Sequence, residues 1–355
     1  MKFLLSFFIF CQLNIICWAE KLLTCYTVTD NEQPTPPMLK SGSHQISLFS
    51  SSQKLKEVNK NLKVLITLTP QNEQMSRLVL NNTLMDQMLN DVLLYLEDNN
   101  LDGFDYDWEF PVWSQNAKPT DFNGFSTLLQ KSHEKLHSLQ ADKYLLFVTV
   151  AAPYTIMDVG YDVAAVNRYA DYVQIMNYDF HSYDKWRPFT GLNAPLKAEP
   201  YEVSVLGRMN SDYSTRHWLD MGVQPSKLIF GLPTYGRGFS LLNPESHSLY
   251  AVTTGPSSYG ESTDYSLMCR LLKMAKVNYV WNEKAASPYL YFDDQWIGFE
   301  DRRSMVAKTV YAKQLNLGGV MIFALHADDY AGTCDEQGTR YPLIKAVKQE
   351  LESAN

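Results

Sequence analysis

Three acidic side chains alternate with aromatic residues in one short stretch of the sequence. They are Asp105, Asp107 and Glu109. In a β-strand, side chains two positions apart point to the same face, so the acids would form a row with about 7 Å between neighbours. Burial and repulsion between like charges would raise the pKa of at least one acid, which would hold a proton near neutral pH. A carboxylic acid that stays protonated in a cleft is the group that glycoside cleavage needs.

Two other interpretations of the acidic row remain open. It could be a solvated acidic strand, or it could bind a cation. A metal site is disfavoured because no cluster of His residues accompanies the row, and calcium loops need a turn-like spacing broken by glycine. We therefore expect neither a metal nor another cofactor.

Strands and helices alternate around the acidic row, which is typical of a parallel α/β fold. The chain has 355 residues, of which 45% are hydrophobic, enough for a large core. Amphipathic helices are predicted for residues 83–99, 122–139 and 305–315. Residues 240–302 interrupt the alternation and are rich in Ser, Tyr and Pro. The predicted strands are residues 22–28, 44–49, 63–68, 103–108, 144–150, 172–176, 227–231 and 319–324.

Four motifs of the sequence resemble those of glycoside hydrolase family 18, the chitinases and chitinase-like lectins. The acidic row, with Asp102 before it and Pro111 after it, is similar to the Asp-x-x-Asp-x-Asp-x-Glu signature of that family. Residues 174–181, 231–239 and 317–325 resemble its Met-x-Tyr-Asp strand, its Gly-x-Pro-x-Tyr-Gly-Arg segment and its last barrel strand. The motifs stand in family order, and the resemblance runs from about Lys21 to the C-terminus.

The resemblance implies a TIM (β/α)8 barrel over residues 20–355. Residues 240–302 would be the small α+β insertion that follows strand seven in many family members. The first βα region is shorter than in the family.

The resemblance also implies catalytic roles. Glu109 would protonate the glycosidic oxygen, and the 2-acetamido group of the substrate would attack the anomeric carbon with retention of configuration. Asp107 would turn between Asp105 and the acetamide, and Tyr178 would form a hydrogen bond with the acetamide oxygen. The implied substrates are chitin and chito-oligosaccharides, the β-1,4-linked polymers of N-acetylglucosamine.

Further residues would line the sugar subsites by resemblance. Arg237, which is one of them, could equally form a structural salt bridge. The full set is Tyr26, Phe49, Met176, Asp179, Tyr235, Arg237 and Phe323.

The sequence departs from the family pattern at several positions. The Gly-Gly-Trp that follows strand three in the family is replaced by residues 69–71, Thr-Pro-Gln. Phe323 stands where active relatives have a Trp, and His326 stands where an Asp is expected. These changes favour a chito-oligosaccharide-binding lectin with weak or no turnover, whereas the presence of Glu109 favours the hydrolase. An endo-acting hydrolase of N-glycans is a third reading.

The first nineteen residues have the features of a secretory signal peptide. Lys2 supplies the charge, residues 3–16 are apolar, and cleavage after Ala19 would leave Glu20 as the first residue. We therefore predict a secreted protein, in which the sequon that begins at Asn81 could carry a glycan.

Three cysteines follow the predicted leader. The resemblance pairs Cys269 with Cys334. Cys25 would then be a buried thiol, with intermolecular pairing as the alternative.

The charge of the chain bears on its partners. The net charge is −8 and no run is rich in Lys or Arg, so nucleic acids and anionic membranes are poor partners. No run after the leader approaches the ~20 apolar residues of a membrane-spanning helix. We expect a monomer.

Overall fold

The computed structural model describes residues 11–18, 21–28, 54–138 and 143–353, with the backbone alone for residues 11–18 and 27–28. None of the helices in these ranges is long and apolar enough to cross a membrane. The strands are β1 (Cys11–Trp18), β2 (Leu22–Val28), β3 (Lys63–Leu68), β4 (Gly103–Asp107), β5 (Leu145–Val150), β6 (Tyr172–Ile175), β7 (Leu228–Pro233), β8 (Tyr235–Leu241), β9 (Thr253–Pro256), β10 (Ser262–Asp264), β11 (Asn278–Asn282), β12 (Ser287–Phe292), β13 (Gln295–Gly298) and β14 (Gly319–Phe323). The helices are α1 (Asn72–Leu78), α2 (Asn82–Asp98), α3 (Asp121–His137), α4 (Tyr154–Gly160), α5 (Val163–Tyr169), α6 (Ser211–Asp220), α7 (Tyr265–Leu272), α8 (Arg302–Gln314) and α9 (Pro342–Glu352).

The chain divides into two compact units. The first unit consists of Met1–Ile175, His217–Ile229 and Leu317–Met321. The second unit consists of Met176–Arg216, Phe230–Asn316 and Ile322–Asn355.

A closed barrel holds the acidic strand. Its strands follow the order β1-β2-β14-β7-β6-β5-β4-β3, and β3, β4, β5 and β6 pair in parallel. All five residues of β4 are buried, as expected for a parallel strand covered on both faces. Gly103 begins β4 with φ 153°, and a Cβ atom there would lie 2.1 Å from the carbonyl oxygen of Leu145. A glycine is therefore required where β4 meets β5. The predicted α/β barrel is confirmed.

Most predicted element boundaries lie within a residue or two of the observed ones. The predicted strands 22–28 and 63–68 coincide with β2 and β3. β4 ends at Asp107, one residue before the prediction, and α2 is displaced by one residue. The predicted strand 44–49, which includes Phe49, lies outside the described residues.

One strand of the barrel differs from the expected parallel set. β1 lies between β2 and β3 and pairs antiparallel with both. Trp18 is in register with Leu22, and a connection this short can join only antiparallel neighbours. β1 belongs to the segment that the sequence predicts to be a leader. The predicted cleavage site after Ala19 lies outside the described residues.

The second unit contains an antiparallel sheet with the strand order β10-β8-β13-β12-β11, and β9 pairs with β8. Its core includes Phe239, Tyr289 and Trp296, with Tyr289 stacked on Trp296 at 4.7 Å between ring centroids. The sheet begins at Tyr235, five residues before the predicted insertion. A disulfide joins Cys269 of α7 to Cys334, as the resemblance implied, and Cys25 is buried in β2.

Candidate active site

β4 carries two of the three acids, and the third follows it. Asp105 is fully buried and Asp107 is almost fully buried, whereas Glu109 is exposed two residues beyond the end of the strand. The acidic row therefore runs from the barrel interior toward solvent. An exposed acid at the end of a buried row can reach a substrate.

The aromatic residues between the acids, Tyr106 and Trp108, are buried. Tyr106 and Trp108 meet Phe125 of α3 edge to face, at 6.0 and 5.4 Å between ring centroids. Phe125 lies on the buried face of α3. Edge-to-face packing holds the rings in a defined orientation and so fixes the direction in which the acids point.

A buried hydrogen-bond network holds Asp105. The hydroxyl of Tyr26 donates to Asp105 Oδ2 at 2.5 Å, and Thr149 Oγ1 donates to the same oxygen at 3.0 Å. Gln174 Nε2 donates to the Tyr26 hydroxyl at 2.9 Å, and Thr24 Oγ1 donates to Gln174 Oε1 at 2.6 Å. Tyr26, which the sequence placed among the sugar-lining residues, is buried against Asp105. It acts on the site through this acid.

The pKa values of the two buried acids lie above their ordinary values. Burial raises the pKa of Asp105 from 3.8 to about 6, although hydrogen bonds from Tyr26 and Thr149 lower it. Burial, and then the negative charges of Glu109 and Asp105, raise the pKa of Asp107 well above its ordinary value. Burial therefore favours the protonated form of both acids, which is the direction that the sequence predicted.

Asp107 has an unused acceptor. Its Oδ1 atom is buried and has no hydrogen-bond partner among the described residues. Buried polar atoms are nearly always hydrogen-bonded, so an exception calls for a functional explanation. Asp107 Oδ1 is therefore an unsatisfied buried acceptor within the acidic row.

Two residues that the sequence analysis missed support the acids. Asn72, at the start of α1, accepts a hydrogen bond from Trp108 Nε1 at 2.7 Å and donates to the carbonyl oxygen of Glu109 at 3.0 Å. Asn72 follows directly on the segment that replaces Gly-Gly-Trp. Tyr161 lies near Asp107 and Glu109, whose charges add to the effect of burial in raising the pKa of Tyr161. No motif marks Asn72 or Tyr161 in the sequence.

The second unit contains an aromatic group made of Tyr178, Tyr235 and Phe323. Tyr178 stacks on Phe323 with 5.6 Å between ring centroids and 24° between ring planes. Tyr235 meets both rings edge to face, at 6.1 and 6.2 Å. The structure therefore brings together three residues that the sequence assigned to one site.

An ion pair lies beside the aromatic group. Arg237 Nη2 is 2.6 Å from Asp179 Oδ1, and its guanidinium carbon lies 5.2 Å from the centre of the Tyr235 ring. Asn193, which the sequence analysis missed, accepts a hydrogen bond from Asp179 N at 2.9 Å and donates to the carbonyl oxygen of Tyr235 at 3.1 Å. The salt-bridge alternative for Arg237 is thus observed. Because Asp179 is exposed, the pair remains accessible to a ligand.

Backbone contacts fix the position of Phe323. Thr234 N donates to the carbonyl oxygen of Phe323 at 2.9 Å, and Thr234 Oγ1 donates to that of Ala324 at 2.6 Å. Phe323, Met176 and His326 are half-buried. Phe323 therefore presents one part of its ring to the aromatic group and another part to solvent.

In the described part of the chain, no three His, Cys, Asp or Glu side chains are grouped so that they could hold a metal ion.

Comparison with known proteins identifies related sequences. The sequence model of glycosyl hydrolases family 18 matches residues 5–328. A probable chitinase 10 of Drosophila melanogaster is 33% identical over 79% of this chain, which spans only 12% of that relative. Chitotriosidase-1 of Mus musculus is 32% identical over 87% of this chain and 69% of the relative.

Solved structures of a chitinase and of a pseudo-chitinase resemble this chain. The group IV chitinase of Ostrinia furnacalis, in complex with allosamidin, has a TM-score of 0.80 at 29% identity and covers 86% of this chain and 84% of its own. Human YKL-39, a pseudo-chitinase with retained chitooligosaccharide binding, has a TM-score of 0.79 at 27% identity and covers 88% and 87%.

Proposed function

Because the chain belongs to family 18 of the glycosyl hydrolases, we propose that it is a secreted hydrolase of β-1,4-linked N-acetylglucosamine chains that acts by substrate-assisted retention. One observation carries the proposal. Asp107 lies between the buried Asp105 and the exposed Glu109, and its buried Oδ1 atom has no hydrogen-bond partner among the described residues. This oxygen would accept a hydrogen bond from the N–H of the substrate's acetamide group.

The acids divide the chemistry between them. The acetamide oxygen of the substrate attacks the anomeric carbon while the glycosidic C–O bond breaks, and Glu109 gives its proton to the leaving oxygen. Asp107 accepts a hydrogen bond from the acetamide N–H and balances the positive charge of the oxazolinium that forms. Water then attacks the anomeric carbon, the bond between that carbon and the acetamide oxygen breaks, and Glu109 takes a proton from the attacking water.

Residues of the second unit would bind the sugar. Tyr178 donates a hydrogen bond to the acetamide oxygen, and Phe323 packs against the apolar face of a sugar ring. The Asp179–Arg237 pair offers both an acceptor and donors to hydroxyl groups. Met176 and Tyr235 complete this surface, and Phe49 is assigned to it by resemblance alone.

A lectin that binds chito-oligosaccharides with weak or no turnover is the second candidate. The presence of Phe323 in place of Trp favours it, because a phenyl ring covers less of a sugar and has no N–H donor. The structural likeness to human YKL-39 also supports this candidate.

We also propose that the protein is exported with cleavage after Ala19 and works as a monomer. A glycan on Asn81 is compatible with its contacts, because the Oδ1 atom of Asn81 caps α2 by accepting from Leu84 N at 3.1 Å. The amide nitrogen, where a glycan attaches, makes no part of that bond. Mass spectrometry of protein from the culture medium should find Glu20 as the first residue.

Turnover of a fluorogenic chito-oligosaccharide by the wild type and Glu109→Gln tests the function. The amide cannot donate the proton, so the rate should fall by at least ~10²-fold, the scale of general acid catalysis, while binding persists. Glu97→Gln, an exposed change on α2, should leave the rate unchanged. A wild type that binds but does not hydrolyse would establish the lectin, and equal rates for the wild type and Glu109→Gln would refute the role of Glu109.

A further inference from the structure

Trp113 is an exposed tryptophan four residues after the proposed acid. Its side chain is 52% exposed, whereas Trp108, five residues earlier, is 1% exposed. Single exposed apolar residues are common on protein surfaces, so exposure alone carries no function. The exposure of Trp113 is of interest because the loop that carries it is held by many hydrogen bonds.

Side chains pin the loop on both sides of Trp113. Before it, Phe110 N donates to Ser114 Oγ at 2.6 Å, and Ser114 N donates back to the carbonyl oxygen of Phe110 at 3.2 Å. After it, the fully buried Asp121 accepts a hydrogen bond from Lys118 N at 2.7 Å on its Oδ2 atom. The same oxygen accepts from Ser76 Oγ at 2.9 Å and Val112 N at 3.4 Å.

The loop also holds a costly backbone conformation next to Trp113. Val112 has φ 64°, in the left-handed region that a β-branched residue rarely adopts. Trp113 N donates to the carbonyl oxygen of Pro111 at 2.7 Å and closes a three-residue turn around Val112. Backbone strain of this kind persists where the surroundings over-determine it, and it concentrates at ligand sites.

We propose that Trp113 is a sugar-binding platform that stacks on a pyranose ring next to the ring whose bond is cleaved. The acid must reach the oxygen between two sugar rings, and Trp113 follows it on the same pinned loop. Its exposed indole offers a flat apolar face, which matches the C–H face of a β-linked sugar. Since the backbone that carries Trp113 is already held in place, little freedom of the loop is lost on binding. This inference rests on the proposed function and adds a residue that favours chains over single sugars.

Isothermal titration of a hexamer of N-acetylglucosamine tests the platform. Glu109→Gln is the parent in every case, so that the ligand is not cleaved. Adding Trp113→Ala should weaken binding about two- to tenfold, the range of one aromatic contact. Trp113→Phe, which keeps a stacking face, should stay within about twofold of the parent. Leu94→Ala, which removes a side chain 58% exposed on α2, should bind like the parent.

Tryptophan fluorescence gives a second readout that a structural role would not change. The hexamer should shift the emission of the parent to shorter wavelength as it covers Trp113, and Trp113→Phe should reduce that shift. If the parent binds but neither Trp113→Ala nor the fluorescence shows an effect, the platform is wrong and the proposed function stands. If the parent does not bind the hexamer, both the platform and the proposed function are wrong. Should Trp113→Ala not fold, Trp113→Phe and its fluorescence decide the question.

Discussion

The acids of the first unit and the aromatic group of the second unit are held in different ways. Asp105 is fixed by buried hydroxyl and amide groups from three other strands, and the acidic row agrees with the family signature at every acid. Phe323 is fixed by ring packing and backbone contacts, and it departs from the family pattern. Under the proposed function, proton transfer and sugar affinity would depend on separate groups, so either could weaken without the other.

The largest expected effect is on the free energy of unfolding, and it comes from removing the disulfide of the second unit. The disulfide of the second unit spans 65 residues of sequence, and closing a loop of that length should stabilise the fold by about 4 kcal/mol through the entropy of the unfolded chain. The double variant Cys269→Ala, Cys334→Ala should therefore lose about that free energy of unfolding, as measured by urea denaturation. The pH dependence attributed to Asp105 should persist in it.

Reduction provides the matched control for the disulfide. Dithiothreitol should destabilise the wild type and leave the double variant unchanged. Peptide mapping without reduction should recover one linked pair, Cys269 with Cys334. A linked peptide that contains Cys25 would contradict the pairing.

The next effect belongs to the first unit and depends on pH. The pKa of Asp105 is about 6 in the folded protein and 3.8 is its ordinary value, so between these pH values the folded state holds a proton that the unfolded state has released. Unfolding then releases a proton, so the contribution of Asp105 to stability falls as the pH rises from about 4 to about 6 and is level above that. The difference corresponds to about 3 kcal/mol.

Asp105→Asn should remove most of that fall, because an amide does not titrate. Urea denaturation at pH 4 and pH 7 measures it. Asp86→Asn, an exposed change on α2, should keep the wild-type pH dependence. If Asp105→Asn loses stability between pH 4 and pH 7 as steeply as the wild type, another buried acid such as Asp107 or Asp328 causes the fall.

The smallest effect concerns the aromatic group. Phe323→Trp should tighten chito-oligosaccharide binding a few-fold to about tenfold, since one aromatic contact contributes about 0.5–1.5 kcal/mol beyond area burial. Titration calorimetry measures this, with Phe323→Leu as the variant that should bind more weakly. Overpacking against Tyr178 would instead cost about 1–3 kcal/mol. Unchanged affinity in a folded Phe323→Trp variant would mean that the ring does not contact the sugar.

Much of the first unit could be predicted from local patterns. Alternation at Asp105 and Asp107 gave the buried faces of β4, and the apolar run of β3 gave its bounds. The predicted strand 103–108 placed Glu109 just beyond its end, and the structure adds that the side chain of Glu109 is exposed. The resemblance supplied the pairing of Cys269 with Cys334, which spacing alone leaves undecided.

The supporting contacts could not be predicted because they join distant parts of the chain. Thr24, Tyr26, Thr149 and Gln174 meet around Asp105 only once their strands are neighbours in the barrel. Thr24 and Tyr26 are two positions apart and so lie on the same face of β2, and this spacing was the one local sign that the inner face of β2 is polar. Asn193 lies in an irregular segment, where no periodicity indicates burial.

The position of β1 has a consequence for export. A closed barrel has no edge strands, and β1 is the strand that covers the free sides of β2 and β3. Removal of residues 1–19 would leave both sides with rows of unpaired N–H and C=O groups, which readily recruit a strand from another molecule. The same eight residues cannot serve both as a discarded leader and as a barrel strand. A secreted monomer therefore needs a different strand of its own chain between β2 and β3. Without such a strand, the exported protein would self-associate through the exposed edges of β2 and β3.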